Sequence, residues 1–333
     1  MLSRVAEQIF WLSRYVERAI GVCRLVDVTL QLELDVGDEE GLDLWSPLLE
    51  STESAGRGLA DPAAVRHYLT FDVSNASSLV SCIRSARTAA RAVRERLPSE
   101  MWEQLNTLYL SMEGPTPTQQ AEDDPHAFYK RVRESALALQ GLADGTMVHD
   151  EAWHFFCLGM YLERADNVAR VLTLQSHLLA LADGTAREDD TVRWLAVLRS
   201  CGSAEAYAQY YSLRVEPARV IEFLLLNRLF PRSIRYSLNA AWSALRAIAT
   251  DDDREDRPNT ALRALGRLRA SVEHTTVDEV LEAGLGAFLA DVQRRTWEIA
   301  EHVTCLYLCD ETARDRPMPA ARAAMIMAAQ QQQ

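Results

Sequence analysis

The sequence predicts an all-α protein, a large helical bundle with two pseudo-repeated halves and no sheet. Three observations predict it. Among 333 residues there are only 14 Gly and 11 Pro, while Ala, Leu, Arg and Glu are plentiful, so helix formers dominate and breakers are few. No stretch alternates apolar and polar residues between turn signals, as a half-buried strand does. Finally, FWLSRYVERA at 10–19 is nearly rewritten at 156–165: Phe10, Leu12, Tyr15, Glu17, Arg18 and Ala19 recur as Phe156, Leu158, Tyr161, Glu163, Arg164 and Ala165. The offset of 146, from Phe10 to Phe156, is far beyond the roughly 20–50 residues of a solenoid repeat. It points to two related halves.

The first helix is expected from residue 3 to about 35, where Val5, Ile9, Leu12 and Val16 keep helical spacing behind a capping Ser3. DVGDEEG breaks the pattern, LWSPLLES makes a short helical piece, and Asp61-Pro62 supplies a cap followed by proline at the first helical position. Residues 75–97 form a further helix, ended by Pro98-Ser99, which also caps MWEQLNTLYLSM. GPTPTQQAEDD at 114–124 has turn formers, an acidic run and no periodicity, and is expected as a linker. Helix restarts at Asp124-Pro125, and a second long helix is expected over 146–182 with Thr146 as its cap. Further helices are expected near 189–200, 204–212, 217–227, 231–250, 257–284 and 286–310. The organisation is then a first helical half over 1–113, the linker 114–124, a second half over 125–313 packed on the first as one body, and a disordered tail over 314–333.

A formal net charge of −13 argues against nucleic acid as a partner, because phosphate binding needs a basic face. The basic residues are one lysine, Lys130, and 34 arginines. The strongly apolar run IEFLLL at 221–226 falls far short of the roughly 20 residues of a membrane span. Charges interrupt the N-terminal segment where an export signal would be apolar. A cytoplasmic protein is the expectation. Its six cysteines form no CxxC pair and are expected as buried free thiols. Cys305 and Cys309, at i and i+4, lack further soft ligands for zinc.

Within the repeated phrase, Glu17 and Arg18 are neighbours in sequence and point about 100° apart on a helix, so they do not pair with one another. Arg14 can reach Glu17 at i, i+3, but its counterpart Met160 does not preserve that pair. A crosswise arrangement explains the duplication: Glu17 opposite Arg164 and Glu163 opposite Arg18, in one polar layer. Tyr15 and Tyr161 lie on the neighbouring helical surface, and Arg24 and Arg170, seven residues beyond the glutamates, share approximately their face. Such a layer has two readings. It fixes which helices meet and in which register, or it is a pocket whose arginines hold carboxylate or phosphate while its glutamates hold an amine or act as acid and base.

Asp150 and Glu151 stand in the first turns of the second long helix, where they favour its dipole. Glu151 and His154 also spell ExxH, a spacing used in carboxylate-bridged dimetal bundles, but Val5 and Gln8 occupy the matching places of the first copy. Pro231 is expected to start a helix, which leaves the N–H groups of Arg232, Ser233 and Ile234 as a reasonable anion site beside the Arg232 side chain, although plain helix initiation after a turn is the favoured reading. There is no GxxxxGK[ST] loop, GxGxxG, GxSxG or HExxH. No cofactor and no metal site are expected.

Four segments carry a family likeness: SRVAEQIFWLSRYVERA at the start, SSLVSCIRSARTAARAVRERLPSEMWEQLN at 77–106, GTMVHDEAWHFFCLGMYLERADNVARVL at 145–172 and VIEFLLLNRLFPRSIRYSL at 220–238. In this order they resemble the alpha-E domain proteins, a bacterial family. The resemblance implies an all-helical protein encoded beside, or fused to, a circularly permuted ATP-grasp ligase, often near a transglutaminase-like protease. By motif match, Glu17, Arg18, Asp150, Glu151, Glu163, Arg164, Asp166, Arg232 and Ser233 fall on the family's recurring positions. The chain departs from it at Thr88, where a glutamate is expected, and at His149 and His154, where arginines are common.

The expected function is that of a helical partner in an ATP-grasp amide or peptide bond-forming system, binding the ligase, an amino-acid or peptide substrate, or both, through the Glu/Arg layer. One alternative is an enzyme using the paired glutamates for acyl transfer or amide hydrolysis. Another is a purely structural interaction scaffold.

Overall fold

The computed structural model describes residues 1–36, 44–51, 59, 61–181, 189–211, 214–250 and 259–308. Among the described residues there are fifteen α-helices and no strand. In chain order they are α1 (Ser3–Val36), α2 (Ser46–Ser51), α3 (Pro62–Thr70), α4 (Leu79–Ala92), α5 (Ser99–Ser111), α6 (Thr116–Asp123), α7 (Pro125–Thr146) and α8 (Glu151–Leu181). There follow α9 (Asp189–Ser200), α10 (Ala204–Tyr211), α11 (Pro217–Leu226), α12 (Ile234–Thr250), α13 (Thr260–Glu273), α14 (Val277–Ala283) and α15 (Leu285–Val303).

Each long helix belongs to a ring of four. Helix α1 packs on α4 and α7, with α5 touching both; α8 packs on α12 and α15, with α13 touching both. The rings meet along α1 and α8. These two run side by side in the same direction: Phe10 and Ser13 face Gly159, Glu17 faces Arg164, and Gly21 faces Asn167. Gly159 permits the approach, since a Cβ there would fall 2.4 Å from the Phe10 carbonyl oxygen and from Ser13 Oγ. Leu12, Ile20, Leu158, Leu162 and Ala165 are buried along the seam. Each of its Leu and Ile side chains contributes about 1.5–3 kcal/mol of transfer free energy.

Local chemistry sets the ends, and it moves several of them from where the pattern put them. The Asp61 carboxylate accepts from the Ala64 N–H and the Asp124 carboxylate from the Ala127 N–H, as their positions before proline predict. Ser78 caps α4 by accepting from the Ser81 N–H, so that helix starts later than residue 75. Ser99 is the first residue of α5 and makes no side-chain cap. The linker expected over 114–124 instead contains α6, with proline in its first turn and Ala121 buried. Thr146 does not cap α8: it ends α7, and its hydroxyl donates to the Leu142 carbonyl. The helix expected over 257–284 is two, because Thr276 and Glu279 form a reciprocal capping box that starts α14. Residues 314–333 lie outside the described residues. Among the described residues no helix is long and apolar enough to cross a membrane.

Candidate functional site

The repeated glutamates meet across the α1/α8 seam in the crosswise pairing that the repeat predicts. Arg164 donates from Nε to Glu17 Oε1 at 3.1 Å and from Nη2 to Glu17 Oε2 at 3.0 Å. Arg18 donates from Nε to Glu163 Oε1 at 2.6 Å and from Nη2 to Glu163 Oε2 at 3.0 Å. Both are two-pronged guanidinium–carboxylate pairs, the geometry that the planar fork favours. Each glutamate takes a second arginine. Arg14 donates to Glu163 at 2.8 Å, and Arg232 donates from Nη1 to Glu17 at 2.8 Å. Gln140 of α7 completes the layer, donating to Glu17 and accepting from Arg164 Nη2 at 3.0 Å.

The carboxylates of the layer are sealed from solvent. Glu17 is 0 % exposed and Glu163 1 %. Burial pushes the Glu17 carboxyl up, but the Arg164 and Arg232 guanidiniums outweigh it and hold it down at about 2. Glu163, equally buried, is held well below the carboxylate range by Arg18 and Arg14. Carboxylates so saturated hold no proton to give near neutrality, and their lone pairs are already occupied. That chemistry suits clamping helices better than acid–base catalysis.

The remaining predicted residues divide. Tyr15 packs against Trp11 with ring centroids 5.7 Å apart, and burial raises its hydroxyl pKa. The Arg164 guanidinium lies over the Tyr161 ring, 5.1 Å from its centroid. Asp150 caps α8 by accepting from the Ala152 N–H at 2.9 Å. Glu151 receives the Met1 amino group at 2.6 Å, away from the layer. Arg170, expected in the layer, pairs with Asp166 of its own helix at 2.7 Å. Pro231 does not open a helix: the Ser233 N–H goes to the Phe230 carbonyl, and the Ser233 hydroxyl caps α12 by accepting from the Tyr236 N–H. The Ser233 N–H is therefore not free for an anion, and Arg232 points to Glu17. Thr88 sits on an exposed face and donates to the Arg84 carbonyl. No group of three or more His, Cys, Asp or Glu able to hold a metal gathers among the described residues.

Besides Arg232, two partners of the layer were not expected. Arg14 is one turn before Arg18, so one carboxylate opposite can receive both, a signal visible at i, i+4. Gln140 carried no signal, because only the packing of α7 on α1 brings it to Glu17. It also opens onto a half-open cleft of about 490 Å³ between α7, α8 and α12. Tyr161 and Tyr236 line this cleft together with Trp153 and His154, and Asp144 and Arg228 bring opposite charges to it.

Comparison with known proteins supports the helical reading. Residues 1–308 match the family model Alpha-E, described as a predicted alpha-helical domain with a conserved ER motif; Glu17-Arg18 and Glu163-Arg164 are two occurrences of that dipeptide. Uncharacterised proteins of Mycobacterium bovis and Mycobacterium tuberculosis are each similar at 26 % identity over 332 residues, covering 92 % of this chain and 37 % of theirs. The chain thus spans little more than a third of the length of these relatives. No solved structure matches it.

Proposed function

The chain belongs to the Alpha-E family, and on that premise we propose that it is the helical partner of an ATP-grasp amide ligase, holding an amino-acid or peptide substrate in the cleft beside the Glu/Arg layer. The observation that carries the substrate part is the cleft's lining. Asp144 and Arg228 offer opposite charges, and tyrosines 161 and 236 an aromatic wall, in a volume of about 490 Å³ that lies within the range of small-ligand sites. A zwitterion fits that lining, its amine toward Asp144 and its carboxylate toward Arg228. The partner part is supported by the alpha-E resemblance and by the length of the mycobacterial relatives, which leaves room for a further domain in the same chain.

The layer's role in this reading is architectural. Through Gln140 and Tyr161 it fixes two walls of the cleft, and its saturated glutamates argue against the acyl-transfer alternative. The test is to mix the protein with the ATP-grasp ligase encoded beside it, follow complex formation by light scattering, and follow ADP release with amino acids present. A complex and faster turnover are expected. Asp144→Asn and Arg228→Gln, both at exposed positions, should each weaken substrate binding about tenfold by removing a charge-assisted contact. No complex together with unchanged turnover overturns the reading.

A further inference from the structure

The two copies of the repeat treat one arginine differently. Arg170 is answered by Asp166 one turn before it, at 2.7 Å. At the same offset, the residue one turn before Arg24 is Ile20, fully buried and apolar. Arg24 makes no hydrogen bond or ion pair among the described residues, and its Nη1 is buried without a partner. A buried guanidinium nitrogen left unanswered is costly, so the chain keeps there a charge that its own side chains do not satisfy.

The surroundings are shaped around that group. Gly202, at φ +62°, lies against it so closely that a Cβ would fall 2.0 Å from Nη1. That backbone conformation favours glycine. A second cation stands near. Burial first, and then the charge of Arg232, push Arg24 down to about 10, and Glu17 offsets this only in part. Glu17 is already occupied by Arg164 and Arg232. Cys201, between the two arginines electrostatically, is no counter-ion, because burial pushes its thiol up to about 12. Arg24 as a whole residue keeps partial exposure.

We propose that Arg24, with Arg232 beside it and Gly202 against it, binds the oxyanion of a small ligand, a carboxylate or a phosphate group, in the place that Asp166 fills beside Arg170. This site is separate from the cleft and does not rest on the ligase reading. Arg164 and Arg232 both pair with the single carboxylate of Glu17 while Arg24 pairs with none, so positive charge is in excess around Arg24 and an anion neutralises it.

The experiment is calorimetric titration and thermal melting of the purified protein with inorganic phosphate and, separately, acetate, at matched ionic strength. The wild type is expected to bind at least one of them and to melt at a higher temperature as it saturates. Phosphate alone, acetate alone or both identify the ligand as phosphorylated, carboxylic or either, and each supports the site. Arg24→Met is expected to melt no lower than the wild type in anion-free buffer, because it removes an unanswered charge, and to weaken anion binding by at least about tenfold. Arg24→Lys, which keeps the charge and loses the planar fork, should fall between. A wild type that binds neither anion, or an Arg24→Met protein that binds as well as the wild type, overturns the proposal. So does an Arg24→Met protein that melts well below the wild type without anion.

Discussion

Glu17 and Glu163 are the same letter of the same phrase, yet they tie different things together. Glu163 draws both its guanidiniums, Arg14 and Arg18, from α1. Glu17 draws on α8 through Arg164, on α7 through Gln140, and on the turn before α12 through Arg232. One carboxylate joins two helices; the other joins four segments from both rings. A repeated sequence therefore fixes where the carboxylates meet, while the unrepeated partners decide how far each one's influence spreads.

The comparison breaks most directly at the glutamates. Glu17→Gln leaves Arg164 and Arg232 buried against a neutral amide, and removing one partner of a buried pair costs about 3–5 kcal/mol. Urea unfolding should show that loss, and hydrogen exchange should quicken in α7 and at the start of α12. Glu163→Gln should cost somewhat less, with faster exchange confined to α1 and α8. Identical exchange patterns for the two variants would erase the distinction drawn here.

Acid sharpens it. Glu17 is held at about 2, below the ordinary glutamate value of about 4.3, and Glu163 is lowered in the same direction. A depressed carboxylate gives stability that is present above the unfolded value and is lost as pH falls toward the folded one. Denaturation from pH 7 downward should therefore stay flat to about pH 5 and then lose about 3 kcal/mol for each glutamate toward pH 2. Glu17→Gln should remove about half of that acid slope. An unaltered slope in the variant would assign the acid sensitivity to other carboxylates.

The smallest effect lies at one matched position of the two copies, Ser13 and Gly159. Gly159→Ala drives a methyl against the Phe10 carbonyl at 2.4 Å and should cost about 1–3 kcal/mol as the helices spread. Ser13→Ala loses only a hydroxyl that donates to the carbonyl of Phe10 in its own helix, and should fall within about 0.5–1.5 kcal/mol. Equal costs would mean that the approach of α1 to α8 is not set by the glycine.

Much of this was legible in the sequence. Helical periodicity and proline caps gave the all-α architecture, and one phrase repeated at a fixed offset was enough to predict the crossed ion pairs, because helix geometry forbids neighbours in sequence from answering each other. The capping box of Thr276 and Glu279 and the contrast of Asp166 with Ile20 were also written there, as local chemistry that helical periodicity does not carry. Gln140 and the cleft were not legible. Both exist only because α7 packs on α1 and α12 on α8, and neither contact leaves a trace in the spacing along either helix. Arg232 was visible as a cation, but its target was not, since the carboxylate it serves lies 215 residues earlier.

The parallel course of α1 and α8 also has a consequence in time. Arg164 leaves the ribosome 147 residues after the carboxylate it serves, and at the roughly 5–20 residues per second of synthesis that interval is about 7–30 s. Through that interval Glu17, Arg14 and Arg18 lack their α8 partners, while α4 and α5 of the first ring are already synthesised and α7, with Gln140, follows shortly before Arg164. The seam is thus the last part of the first ring to dry, and its closing is timed by the arrival of α8.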